Sequence, residues 1–139
     1  MCDKVQLTGT CLCGTVKIAV SSEEKNYEAC HCTMCRKWGG GPLLALNCET
    51  DVELFGEESI SVFSSSAWAE RGFCAKCGTH LFYRLKEIDQ YHIPLGLLDT
   101  DAPMNFASQI FIDEKPAHYT FSNDTQTLTG AEVFASLTE

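Results

Sequence analysis

At 139 residues with 45% hydrophobic content, the chain has material for one modest core, and it reads as a single domain over residues 1–139. Nineteen acidic against ten basic residues give a net charge of −9. Only Arg36-Lys37 places two cations side by side, so nucleic acid is a disfavoured partner. No apolar run approaches the roughly 20 residues of a membrane span, and the first six residues lack the apolar segment of a secretory signal. The expected setting is cytoplasmic, with no membrane partner.

Along the chain, Val16, Ile18 and Val20 alternate with Thr15, Lys17 and Ala19, the period-two pattern of a half-buried strand. Ser21–Asn26 is polar and reads as a turn, and Tyr27-Glu28-Ala29 as a short strand. Thr33–Trp38 has room for one or two helical turns, which Gly39-Gly40-Gly41-Pro42 must end. Leu43–Leu46, Val52–Phe55 and Ile60–Phe63 read as strands, with Ser64-Ser65-Ser66 as a loop. Arg71-Gly72-Phe73 and Leu81–Arg84 flank a cysteine pair as further strands. Tyr91–Leu98 is strand-like, with Pro94 confining it to an edge or bulge. Ile110-Phe111-Ile112 reads as the last strand, and Ala131–Leu137 as a short helix. The expected architecture is mainly β, with many short strands and little helix.

Seven of the nine cysteines fall into three clusters, Cys11/Cys13, Cys30/Cys32/Cys35 and Cys74/Cys77. A disulfide framework spreads its cysteines, whereas this spacing is that of metal knuckles. Cys2 and Cys48 stand apart and read as a terminal and a strand thiol. Cys74-Ala75-Lys76-Cys77-Gly78 curls two sulfurs towards one ion, and no βαβ context suggests a redox role instead. Two pairs, Cys11/Cys13 and Cys74/Cys77, can close a four-thiolate structural zinc site. Cys30, Cys32 and Cys35 are then left as a three-thiolate site with a vacant position, the construction of a catalytic zinc. The fourth ligand is open among His31, water, Cys48 and a substrate thiolate. His31 lies between two ligands, so its ring is expected to point away from their metal. His80, His92 and His118 take structural or exposed roles in this reading. Arg36 and Lys37 are placed to receive carboxylates of a ligand or to offset the thiolates. The glycines around Gly40 either admit a substrate closely or form a plain loop.

Three stretches carry a resemblance: Gly9-Thr10-Cys11-Leu12-Cys13-Gly14-Thr15-Val16, Cys30-His31-Cys32-Thr33-Met34-Cys35-Arg36-Lys37 and Phe73-Cys74-Ala75-Lys76-Cys77-Gly78-Thr79. Together they resemble the glutathione-dependent formaldehyde-activating enzyme family, whose domain is shared with the centromere protein V group. Leu95-Gly96-Leu97-Leu98-Asp99 and Ile110-Phe111-Ile112 are similar to its later blocks. The resemblance implies a small zinc-binding, β-tent-like fold of short antiparallel strands. It implies two zinc ions, a structural one on Cys11, Cys13, Cys74 and Cys77 and a catalytic, labile one on Cys30, Cys32 and Cys35. It further implies carbon–sulfur lyase chemistry, in which glutathione and a small aldehyde form or release an S-hydroxymethyl adduct; from their own chemistry and position, Arg36, Lys37 and Gly40 are the expected substrate contacts. The alternatives are a non-catalytic zinc module that binds glutathione or another small thiol, and a structural or interaction domain. The net charge and the lack of a basic tail argue against a chromatin role.

Overall fold

The alternation that begins at Val16 is realised as strand burial, with Val16 and Ile18 fully buried and Val20 nearly so, because successive strand side chains face opposite sides. The computed structural model describes residues 5–22, 25–100 and 103–137; Cys2 and the middle of the Ser21–Asn26 turn lie outside them. In chain order the first strands are β1 (Val5–Thr10), β2 (Lys17–Ser22) and β3 (Asn26–Cys30), followed by helix α1 (Thr33–Gly39). Then come β4 (Leu43–Glu49), β5 (Val52–Phe55), β6 (Ile60–Ser64), β7 (Ala69–Cys74), β8 (His80–Leu85) and β9 (Gln90–Pro94). The chain ends with β10 (Leu98–Asp99), β11 (Asn105–Ile110), β12 (Gln126–Leu128) and helix α2 (Gly130–Leu137). Twelve strands and two helices among the described residues make the fold mainly β.

The chain forms two compact units, each built from two stretches of sequence. The first takes the residues up to Lys25 and Leu46–Pro103; the second takes Asn26–Ala45 and the residues from Met104 onward. In the first unit β1 pairs antiparallel with both β2 and β10, and β2 with β5. The strands β6, β7, β8 and β9 form an antiparallel meander. Leu7, Ile18, Val20, Leu81, Phe82 and Ile93 supply buried apolar side chains from these strands. Pro94 ends β9, and Leu95–Leu97 turn as a single 3₁₀ turn. The strand expected to run on to Leu98 is therefore broken where proline withdraws a ladder donor.

The second unit departs from the all-antiparallel expectation. Strand β11 pairs parallel with β3 on one side and with β12 on the other. Parallel neighbours need a long crossover instead of a hairpin, and the chain travels from Cys30 to Asn105 before β11 begins. The strand expected at Ile110–Ile112 stops at Ile110. Phe111 takes the left-handed conformation, φ 54°, and turns the backbone into a 3₁₀ turn at Ile112–Glu114. Parallel pairing has one consequence for function. Because Cys30 is in register with Ile110, the segments that follow β3 and β11 leave from the same end.

Candidate metal centres and the adjoining pocket

In the first unit the turn after β1 and the turn after β7 bring four sulfurs together. Among the described residues, Cys11, Cys13, Cys74 and Cys77 form one group whose Sγ atoms all lie within 4.8 Å of one another. Cys11 Sγ is 3.5 Å from Cys13 Sγ, and Cys13 Sγ is 3.8 Å from Cys74 Sγ. A tetrahedral zinc with bonds of about 2.3 Å requires sulfurs roughly 3.8 Å apart, so the donor set fits that ion. Each loop is folded by its own backbone. Gly14 N–H donates to Cys11 O at 3.0 Å, and Gly78 N–H donates to Cys74 O at 2.8 Å. Gly78 has φ +79° with open space around it, the conformation that the Cys-x-x-Cys-Gly spacing requires. Val16 N–H donates to Cys11 Sγ at 3.3 Å, and Leu12 N–H to Thr79 Oγ1 at 3.1 Å, which laces one loop to the other. Hydrogen bonding to the Thr79 hydroxyl and backbone lowers the Cys77 thiol to about 5, and Thr15 lowers Cys13 in the same way. Both effects favour the thiolates a metal takes.

The second unit holds Cys30, Cys32 and Cys35, also within 4.8 Å of one another. Cys30 closes β3. Cys32 is the N-cap of α1, with its Sγ accepting from Cys35 N–H at 3.3 Å, and Cys35 is buried on the helix's first turn. Hydrogen bonding with Cys32 and Cys35, together with burial, pushes the Cys30 thiol far up. Three mutually facing thiols cannot all ionise without a cation among them, and thiolate chemistry selects a soft or borderline ion such as zinc.

His31 stands aside from this triplet. Its ring is completely buried, Nδ1 lies 2.7 Å from the Tyr119 hydroxyl, and Nε2 lies 2.8 Å from Gln109 Oε1. Both ring nitrogens are thus taken up inside the second unit, and burial pushes its pKa below the ordinary imidazole range. Its backbone is held equally firmly. His31 N–H donates to Ile110 O at 3.1 Å, and Arg36 Nε donates to His31 O at 2.9 Å.

Beside the triplet is a pocket of about 490 Å³, lined by Thr33, Arg36, Lys37, Gly40, Gly41, Pro42, His118 and Tyr119. The three expected substrate contacts, Arg36, Lys37 and Gly40, gather there. Thr33, Arg36, Lys37 and Gly40 follow the i, i+3, i+4, i+7 stripe of a helix face, whereas Cys35 lies off that stripe and is buried. Gly40 ends α1 with φ +86°, and its N–H donates to Arg36 O, a left-handed cap that glycine supplies without strain. Arg36 spends much of its guanidinium on the protein itself, donating also to Glu114 O at 3.2 Å and to Thr33 Oγ1 at 3.4 Å. The Glu114 carboxylate accepts from Thr33 N–H and Thr33 Oγ1–H, both at 3.0 Å. Lys37 is exposed and is the more available cation. His118, expected to be structural or exposed, is exposed and lines the pocket, and Tyr119 was not anticipated. Their sequence hint is an imidazole–phenol pair in a loop, and Tyr119's partner His31 lies 88 residues earlier.

Cys48, expected as a strand thiol, is buried in β4, where burial pushes it up to about 12. Its Sγ points back to Leu46 O at 3.6 Å. His92 in β9 packs edge-on to Tyr83, and burial lowers it to about 4.

The fold and these two thiol groups define a small, mainly β protein with two sites suited to zinc. The family model described as "Glutathione-dependent formaldehyde-activating enzyme" matches residues 6–114, and the chain belongs to that family. It is 34% identical over 130 residues to an uncharacterized lyase of Schizosaccharomyces pombe, covering 93% of this chain and 95% of that one. A putative glutathione-dependent formaldehyde-activating enzyme of Halomonas elongata is 29% identical over 107 residues, 70% of this chain and 68% of the relative. A crystal structure of a Rhodobacter sphaeroides protein shares the fold, with TM-score 0.59 and 24% identity over 69% of this chain and 91% of that one.

Proposed function

We propose that this chain is a cytoplasmic, single-domain, zinc-dependent carbon–sulfur lyase resembling S-(hydroxymethyl)glutathione synthase, which joins glutathione to a small aldehyde or releases it. The observation that carries this reading is the Cys30, Cys32, Cys35 triplet with the intervening imidazole tied away from it. Three donors leave one coordination position for a ligand from outside. The names of the relatives, a lyase and a formaldehyde-activating enzyme, support the same class.

Bound by the triplet, zinc supplies the charge that keeps an incoming thiol deprotonated at neutral pH, where a free thiol of pKa about 8.5 is mostly protonated. The chain's own residues supply position. Lys37 receives a carboxylate of the tripeptide, the glycine loop from Gly40 admits its backbone, and Arg36 holds the loop of His31 to Glu114 so that α1 presents Cys32 and Cys35 together. Adduct formation makes one carbon–sulfur bond at the carbonyl carbon, and the thiol's proton ends on the carbonyl oxygen; cleavage is the reverse. Holding both reactants at one site contributes through lost translational entropy.

Two measurements test this. Exchange NMR of the glutathione–formaldehyde adduct should show catalysis by the wild type, and a Cys32→Ala variant with an undiminished exchange rate would sink the proposal. Zinc analysis should find two ions per chain, one removed by a mild chelator and retained when glutathione is present. The pocket is lined by none of the three sulfurs, which favours as second reading a module that binds glutathione without turnover. Isothermal titration alongside the exchange measurement separates the two.

A further inference from the structure

One residue that lines the second unit's pocket carries a hydroxyl whose direction is set by a buried neighbour. Tyr119 lines the pocket, and its Oη lies 2.7 Å from His31 Nδ1. Across the imidazole, Nε2 lies 2.8 Å from Gln109 Oε1, and Gln109 Nε2 donates to Thr125 Oγ1 at 3.0 Å. A carboxamide oxygen only accepts, so the ring proton belongs on Nε2. In a neutral imidazole the other nitrogen is then an acceptor, and the Tyr119 hydroxyl donates to it. The hydroxyl's single proton is thereby used inside the protein, and its remaining lone-pair capacity is available to the pocket. The ring is steadied by Lys115, whose Nζ stands 5.1 Å from its centroid and donates to Pro116 O. Gln109 and His31 are buried, so water cannot readily reverse the chain of donors.

We propose that Tyr119 is a specificity-determining residue of this pocket, presenting a hydrogen-bond acceptor to an N–H donor on an anionic ligand. The lining carries Arg36 and Lys37 and no carboxylate, which in a chain of net charge −9 marks a local site for anions. With Arg36 already donating to two carbonyls and to the Thr33 hydroxyl, the ligand's carboxylate belongs at Lys37 and its donor at Tyr119. A peptidic thiol offers both groups. A plain carboxylate offers only the first and leaves the tyrosine oxygen unserved. The inference rests on the glutathione reading above and deepens it, because it names the side of the ligand that is read and the residue that reads it.

The test uses the 139-residue, zinc-loaded chain. Nitrogen-15 NMR of the histidine rings is expected to show His31 as the Nε2–H tautomer; a proton on Nδ1 would overturn the assignment without any variant being made. In isothermal titration, Tyr119→Phe is expected to weaken glutathione about tenfold, the loss of one hydrogen bond. The same variant should leave glutarate, a dicarboxylate without an N–H, unchanged. Equal weakening of both ligands would mean a structural effect and overturn the proposal, as would unchanged glutathione affinity. A wild-type chain that does not bind glutathione would overturn the proposed function together with this inference. Binding that is indifferent to Tyr119 would overturn this inference alone.

Discussion

His31→Phe keeps a ring of similar size in the interior and removes both of its hydrogen bonds. The cost follows from where the two partners lie. Gln109 is 6% exposed, so its Oε1 finds no water in place of His31 Nε2, and a buried acceptor left unmade costs about 1–3 kcal/mol. Tyr119 faces the pocket and can turn its hydroxyl to solvent, so its loss is nearer the net value of one hydrogen bond, about 1 kcal/mol. The phenyl ring recovers part of this through better apolar transfer, roughly 1 kcal/mol. The variant should therefore be about 2 kcal/mol less stable, within reach of a domain of ordinary stability of about 5–15 kcal/mol. Urea unfolding at pH 7.5 measures that difference, and metal analysis of the folded variant measures zinc. Both thiol groups should still fill, because the ring is not a ligand. A folded variant that has lost the ion of the Cys30, Cys32, Cys35 group would refute the reasoning, since it would make the imidazole part of that site. A change in stability under about 0.5 kcal/mol would refute it from the other side, by showing that the two buried hydrogen bonds do not form.

Cys77→Ser removes one of four donors from the closed site, where zinc binding of the order of 10 kcal/mol is coupled to folding. Near-UV circular dichroism should show loss of fixed tertiary structure in the first unit, and a wild-type unfolding midpoint would contradict the assignment. Gly40→Ala forces a side chain into φ +86° and should cost about 1–2 kcal/mol, read as a lower thermal midpoint. Cys48, nearly inaccessible and pushed up to about 12 by burial, should escape alkylation by iodoacetamide in the native protein and react once unfolded; peptide mass spectrometry decides between these outcomes. His92 has a folded pKa lowered to about 4 against an ordinary 6.5. Between those values the unfolded chain binds a proton that the folded chain refuses, so its contribution is complete above pH 6.5 and lost as pH falls towards 4. With partial exposure discounted, the loss is about 2 kcal/mol. His92→Gln should flatten the difference between denaturant unfolding at pH 7 and pH 5, and an identical pH dependence in both proteins would exclude this histidine as the cause.

Cysteine spacing, the apolar alternation that runs from Val16 into β2 and the glycine stop after α1 are all written over a few adjacent residues, because a knuckle, a strand face and a helix cap are local structures. The sequence by itself therefore determined the thiol groups, the mainly β character and the short helix at Thr33. Tertiary structure alone decided what surrounds them. Parallel pairing of β11 with β3 sends the chain beyond Cys30 and the chain beyond Ile110 out at one end. That is how Tyr119 meets His31 across 88 positions, and Glu114 meets Thr33 across 81. Neither pair has a periodicity or a spacing to announce it. Arg36 lines the pocket, yet it also donates to two backbone carbonyls, His31 O and Glu114 O, that only the folded chain places within reach. Ligands that lie within a few residues of each other can be read from spacing. The groups that hold them in position, and the pocket wall they face, depend on contacts between distant segments and appear only when the chain is folded.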